Sequence, residues 1–268
     1  MAEIICSENE NSCFRDAVCI DAGRIYDSCS DKDCLTDLRV LFPEAIQRSV
    51  IDNALSAKVK NVTVLNVLID VETVPFNKGF YSVNMKYYFE VTAEVYTPQA
   101  SNCTVIGVAT AEKKAILFGS DGNVRVFESG QNGEICESSN MPRAKVQVVD
   151  PICLDSKLVT CCEPCCPIKI PDCILNHFKT ACFGRNDGCG DVTEQKELRI
   201  TLGLFSIVQL QRRVQMLVPV YDFCIPDKDC SQTVSNESSP CEFFSQIKFP
   251  TEQFFPPKLE DEGDCCCS

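Results

Sequence analysis

The chain is poor in the side chains on which most functional classes depend. Histidine occurs once in 268 residues, as His177. A nucleophilic hydrolase or thiol protease needs a general base beside a shielded nucleophile, and nothing around "CILNHFKTAC" marks a nucleophile turn. No enzyme is expected. Basic residues number 25 against 38 acidic ones, a formal net charge of −13. Such a surface repels phosphate backbones and anionic lipid, so neither nucleic acid nor a membrane surface is an expected partner. No apolar run approaches the about 18 residues of a bilayer span. The opening "MAEIICSENENSC" lacks the basic and apolar regions of a secretory signal. In "CFGRNDGCGD" the glycines do not follow the order of a phosphate or dinucleotide loop. No cofactor is expected.

Helical periodicity is also scarce. "PEAIQRSVIDNALS" at 43–56 starts with Pro43 and repeats Ile46, Val50 and Ala54 on one face, which predicts one short helix. Strand patterns dominate instead. In "YSVNMKYYFEVTAEVY", Tyr81, Val83, Met85, Tyr87, Phe89, Val91, Ala93 and Val95 alternate with more polar positions, the period of a half-buried strand. "VKNVTVLNVLIDVETV" is rich in β-branched residues, and "PFNKG" at 75–79 supplies the turn between the two. "AILFGSDGNVRVF" reads as a hairpin with Asp121-Gly122 at its tip. "ELRITLGLFSIVQLQRRVQMLVPVY" reads as strand, folding back near Arg212-Arg213. The expected class is all-β and mainly antiparallel: a sandwich or barrel-like core, or two packed β units, with one short helix and cysteine-rich loops and arms. With 45% hydrophobic residues the chain is long enough to bury a substantial core.

What the chain has in abundance is cysteine, 21 residues. An odd number cannot pair fully within one molecule, so at least one thiol is free, metal-bound or joined to another molecule. Their spacing divides the chain. The expected parts are an N-terminal arm at 1–34 with Cys6, Cys13, Cys19, Cys29 and Cys34, and a β domain at 35–155. A cysteine-rich insert at 156–195 carries Cys161, Cys162, Cys165, Cys166, Cys173, Cys182 and Cys189. A β hairpin and cysteine turn at 196–257 holds Cys224, Cys230 and Cys241, and a tail at 258–268 holds Cys265, Cys266 and Cys267. All of these are candidates for disulfides or cross-links. The terminal triplet cannot easily close on itself, because adjacent residues rarely satisfy disulfide geometry. It reads as a tether that reaches another molecule.

Two alternatives compete for the same sulfur. Cys161, Cys165, Cys173 and His177 could hold a structural zinc in a cytoplasmic interaction module. Against this, adjacent cysteines bind one metal awkwardly, and Pro164, Pro167 and Pro171 favour an extended loop that displays thiols. The second question is a repeated phrase, "YDSCSDKDC" at 26–34 and "YDFCIPDKDC" at 221–230. It reads as two similar cysteine turns, one entering and one leaving the core, with Asp31/Asp33 and Asp227/Asp229 solvated. Cys29/Cys34 and Cys224/Cys230 could close small rings or pair between the copies. Linking positions far apart in sequence constrains the unfolded chain more, which favours pairing between copies.

Long phrases carry a resemblance as well. "RDAVCIDAGRIYDSCSDKDCLTDLRV", "VPFNKGFYSVNMKYYFEV", "EKKAILFGSDGNVRVF", "VDPICLDSK" and "FPTEQFFPPKL" resemble the cysteine-rich spore-coat and exosporium proteins of clostridia, over nearly the whole chain. The resemblance implies a structural protein of the spore surface, made in mother-cell cytoplasm without a signal peptide. It would assemble with itself, and with other coat or exosporium proteins, into an ordered layer or appendage held by disulfides. The "EP" that interrupts "CCEPCC" departs from the longer cysteine runs expected in some relatives. Cytoplasm keeps thiols reduced during synthesis, and lysis of the mother cell then exposes them to oxidant.

Overall fold

The computed structural model describes residues 19–99, 102–122, 125–129, 135–139, 141–161, 170–180, 183, 195–217, 228–229 and 240–254. The alternation read in the sequence becomes strand β3 (Phe80–Tyr96), and all eight of its predicted inward side chains are buried. β3 is the middle of a meander between β2 (Ser56–Thr73) and β4 (Cys103–Phe118), antiparallel throughout. The β2–β3 turn lies at 75–79, as expected, and Gly79 closes it at φ 80°, where a side chain would be strained.

A second set of strands completes the sheet. β1 (Cys19–Leu41) and β9 (Gln195–Leu217) run antiparallel along nearly their whole length. On the other edge of β9 lie β7 (Arg143–Val148) and β8 (Ile152–Cys161). The two follow each other along β9, and Val149 N–H bridges their junction by donating to Phe205 O at 3.2 Å. The order is β2-β3-β4-β1-β9-β7, with β8 also on β9. Its ends approach each other: at a bulge in β2, Val64 N–H donates to Asp150 Oδ1, between β7 and β8, at 2.9 Å. The result is mostly antiparallel β, a nearly closed barrel-like sheet. One buried cluster draws on β1, β2, β3, β4 and β9 together. Separate from this sheet, β5 (Arg125–Ser129) pairs with β6 (Ile135–Ser139).

Several local expectations are corrected. β9 does not fold back at Arg212-Arg213; it continues to Leu217 because Arg212 is buried and has partners there. Its guanidinium donates to Gly119 O at 2.6 Å, Ser120 O at 2.9 Å and Tyr81 Oη at 2.8 Å, and also to Gly122 O. For the same reason Asp121-Gly122 is not a hairpin tip: Arg212 gathers that loop inward, and β5 pairs with β6 instead of β4. The helix is shorter than 43–56. It comprises α1 (Glu44–Ile46) and one π turn (Gln47–Ile51), after which Leu55 N–H donates to Tyr96 O at 2.8 Å and β2 begins. Three short helices were not anticipated: α2 (Asp172–His177), α3 (Pro240–Gln246) and α4 (Thr251–Phe254).

Candidate cross-linking surface

The first copy of the repeated phrase is a strand, not a turn. Tyr26–Cys34 lies inside β1, where successive side chains face opposite sides of the sheet. Cys29 and Asp31 face inward and are buried, at 0% and 1% exposure. Asp31 is therefore not solvated. Its neighbour on the same face, Asp33, joins it around Lys113 of β4: Nζ packs against Asp31 Oδ2 and lies 2.5 Å from Asp33 Oδ2. The second copy does lie beside the first. Lys228 and Asp229 form β10, parallel to β1, with Lys228 opposite Cys29 and Asp229 opposite Ser30. Cys224 and Cys230 lie outside the described residues.

On the outward face of β1, Cys34 is bonded to Cys241 of α3, with Cα atoms 5.6 Å apart and a sequence separation of 207. Cys34 thus pairs neither with Cys29 nor with the second copy. The sulfur bridge is one of three ties. Lys32 donates to Ile247 O at 2.6 Å and to Ser245 O, and sits over the Phe244 ring at 5.3 Å. Phe244, 1% exposed, lies against Phe205, ring centroids 4.8 Å apart. Room for it exists because position 203 is glycine: a Cβ there would meet the Phe244 ring at 2.6 Å. Phe249 packs on both Phe205 and Phe254. Residues 240–254 form a strap across the outside of β1 and β9.

The other described cysteines are dispersed. Cys103 is half-buried at the start of β4. Cys153 is an exposed thiol at a bulge of β8, its Sγ 3.6 Å from Asp155 O. Partial burial and the Asp155 carboxylate push that thiol up from its ordinary pKa. Cys161 ends β8, where Arg199 Nη2 approaches its Sγ at 3.7 Å. Cys173 is exposed on α2, 3.8 Å from Asn66 Nδ2. Cys19 begins β1. Cys6, Cys13, Cys162, Cys165, Cys166, Cys182, Cys189, Cys265, Cys266 and Cys267 lie outside the described residues.

Of the alternative metal ligands, Cys165 falls outside that set. Cys173 and His177 share α2, and Nε2 of His177 is 2.8 Å from Glu90 Oε2. Ile174 of the same helix is buried against Tyr88 and Val108, on the outer side of β3 and β4. Among the described residues no group of three or more His, Cys, Asp or Glu is placed to hold a metal.

An ion network ties β1, β8 and β9 beside Cys161. Asp37 binds Lys157 Nζ at 2.8 Å and Arg199, while buried Glu197 meets Arg39 at 3.0 Å and Arg199 at 3.2 Å. Hydrogen bonds from Lys157 and Arg199 hold the Asp37 carboxyl below its ordinary value of 3.8. A carboxylate depressed in the fold adds stability above its unfolded pKa and loses it as pH falls through the folded one. Asp37→Asn should therefore lower the urea midpoint at neutral pH, with the difference from wild type shrinking once pH drops below 3.8. Asparagine suits the positive φ of 57° at this position, so the comparison isolates charge. A deficit that stays constant down to acid would show that the pairs contribute nothing.

The sequence reading named the Asp31/Asp33 pair as solvated and missed Lys113 as its partner, although a signal existed. Val105, Ala109, Ala111, Ala115 and Leu117 form the inward stripe of β4, and Lys113 occupies a position in that stripe.

The fold and surface define a mostly antiparallel β body, with cysteines both built into it and displayed from it. No protein-family profile and no solved structure matches the chain. Among curated proteins, "Exosporium protein A" of Clostridium sporogenes is 24% identical over 273 residues, an alignment that spans 94% of this chain and 79% of that protein. The chain is thereby similar to a clostridial exosporium protein over almost its full length.

Proposed function

We propose that the protein is a structural, non-enzymatic component of the spore surface, whose copies pack into an ordered layer or fibre and are then joined by intermolecular disulfides. The observation that carries this reading is the similarity to Exosporium protein A across 94% of the chain. An odd count of 21 cysteines and the exposed thiols Cys153 and Cys173 support it. A surface for the prior non-covalent contact lies on the outer side of β3 and β4. There Phe80 and Phe118 pair edge to face at 5.4 Å, beside Ile116 at 51% exposure and near the β2–β3 turn, where Phe76 is fully exposed. Apolar groups left in water at one end of a body favour contact with another molecule.

The order of events follows from redox chemistry. Reduced chains assemble in mother-cell cytoplasm, with other coat or exosporium proteins as further partners. Oxidant reaches them on lysis, and high local thiol concentration within the assembly makes exchange between copies efficient. Purified protein, oxidised after concentration, should form sheets or fibres by electron microscopy and high-mass bands on non-reducing gels that collapse with reductant. Oxidised material that stays a single 29.8 kDa species defeats the proposal.

A further inference from the structure

The interior of the barrel holds a group of side chains with no place in a structural hydrophobic core. Lys113 of β4 and Asp31 and Asp33 of β1 all occupy inward positions. The Asp31 side chain is 0% exposed, Lys113 12% and Asp33 15%. Across the β3–β4 ladder Lys113 stands opposite Met85, and Ala111 opposite Tyr87; both β3 residues are buried. The lining is apolar enough that burial pushes the Tyr87 phenol up to about 12. Asp31 Oδ1 accepts a hydrogen bond from Lys32 N–H at 2.9 Å. Its Oδ2 makes no hydrogen bond of ordinary geometry, although Lys113 Nζ is packed directly against it. The Lys113 nitrogen therefore touches the carboxyl group of Asp31, with a second carboxylate, Asp33, on the same nitrogen.

We propose that Lys113 and Asp31 form an intramolecular isopeptide bond, with Asp33 as the proton relay. A buried ion pair is costly to desolvate, and transfer of one proton from Lys113 to its carboxylate partner yields a neutral amine beside a carboxylic acid. A desolvated lysine amine is a competent nucleophile. Nζ attacks Cγ of Asp31, the Nζ–Cγ bond forms, and a Cγ–O bond breaks. Asp33 takes a proton from the nitrogen and delivers it to the departing oxygen, which leaves as water. One amine and one carboxylic acid become one amide and one water. No oxidant or cofactor enters. The fold supplies the proximity that makes such a condensation feasible.

The location gives the bond a mechanical role. β1 and β4 are neighbours in the sheet, yet their ladder pairs only Val40 with Ala109 and Leu41 with Val108. Beyond that corner β1 and β4 share no ladder: β10 pairs with β1 at Cys29 and Ser30, and Asp27 Oδ2 accepts Phe118 N–H at 2.9 Å. An amide between Lys113 and Asp31 closes the seam covalently, and unlike a disulfide it survives reductant.

Intact mass of the fully reduced, purified chain tests this without any substitution. The expected mass is one water, about 18 Da, below that of the sequence, and digestion should give a branched peptide joining Asp31 to Lys113 with no cleavage after Lys113. Asp31→Asn should converge on the same product by losing ammonia instead. Lys113→Met should restore the full mass, and Asp33→Ala should slow bond formation by about a hundredfold or more. Full sequence mass in reduced, folded wild type after prolonged storage, with Lys113 in unbranched peptides, overturns the bond. Undiminished bond formation in Asp33→Ala overturns the relay.

Discussion

Arg212→Leu is expected to destabilise the fold by about 3–5 kcal/mol, read as a fall in the urea midpoint of the reduced protein. The residue is 5% exposed and donates to three backbone carbonyls and one phenol. Leucine fills much of the volume but leaves the buried carbonyl of Gly119 and the part-buried carbonyls of Ser120 and Gly122 without their donor, and an orphaned buried acceptor costs about 1–3 kcal/mol. The guanidinium also sits over the Tyr81 ring, 5.8 Å from its centroid. Arg212→Lys should recover little, since a point charge cannot span Gly119, Ser120, Gly122 and Tyr81 together. The neighbouring Arg213→Leu serves as a control: an equal loss there would mean that strand charge in general, not the buried fork, explains the effect.

Arg212 also shows where sequence reasoning stops. Two adjacent arginines in a β pattern look like a turn, because charge is normally exposed, and only the carbonyls of 119–122 explain why β9 continues. Those partners come from a segment about ninety residues earlier, and no local pattern announces them. By contrast β3 was legible position by position. Its burial follows a period of two, and that period is a property of the backbone itself. The all-β class followed from the same arithmetic. Lys113 was legible in principle, as a charge inside the apolar stripe of β4, but its meaning depends on Asp31 and Asp33 from a strand that reads as a polar turn. α2 and α3 escaped because each buries a single large side chain, Ile174 or Phe244, too few for a helical period to register. The repeated phrase was visible and misread for a related reason. Its acids and cysteines favour turns locally, yet pairing with the apolar β9 imposes a strand.

The disulfide was beyond sequence, since cysteine counts do not determine connectivity. Its effect is expected to be large. Closing a loop across a sequence separation of 207 removes denatured-state entropy worth about 5 kcal/mol at most in the chain-entropy view. Cys34→Ser and Cys241→Ser should lower the stability of oxidised protein by several kcal/mol, about 2–5, and by equal amounts. Either one removes the same link, so the double variant should add nothing further. Unequal losses would show that one of these thiols has another partner in the oxidised protein. The strap should also become the first segment to open. Without the bridge it is held by Phe244 over Gly203 and by Lys32 on the carbonyls of Ser245 and Ile247. Hydrogen exchange at 240–247 should therefore accelerate in Cys34→Ser while β3 and β9 keep their protection. Uniform acceleration across the strap and the barrel would mean that the strap is part of the global folding unit. In wild type, reductant should produce the same local opening, so that Phe205, Phe244 and Phe249 become available only before oxidation. The strap thus links the redox state of the chain to how much aromatic surface it shows.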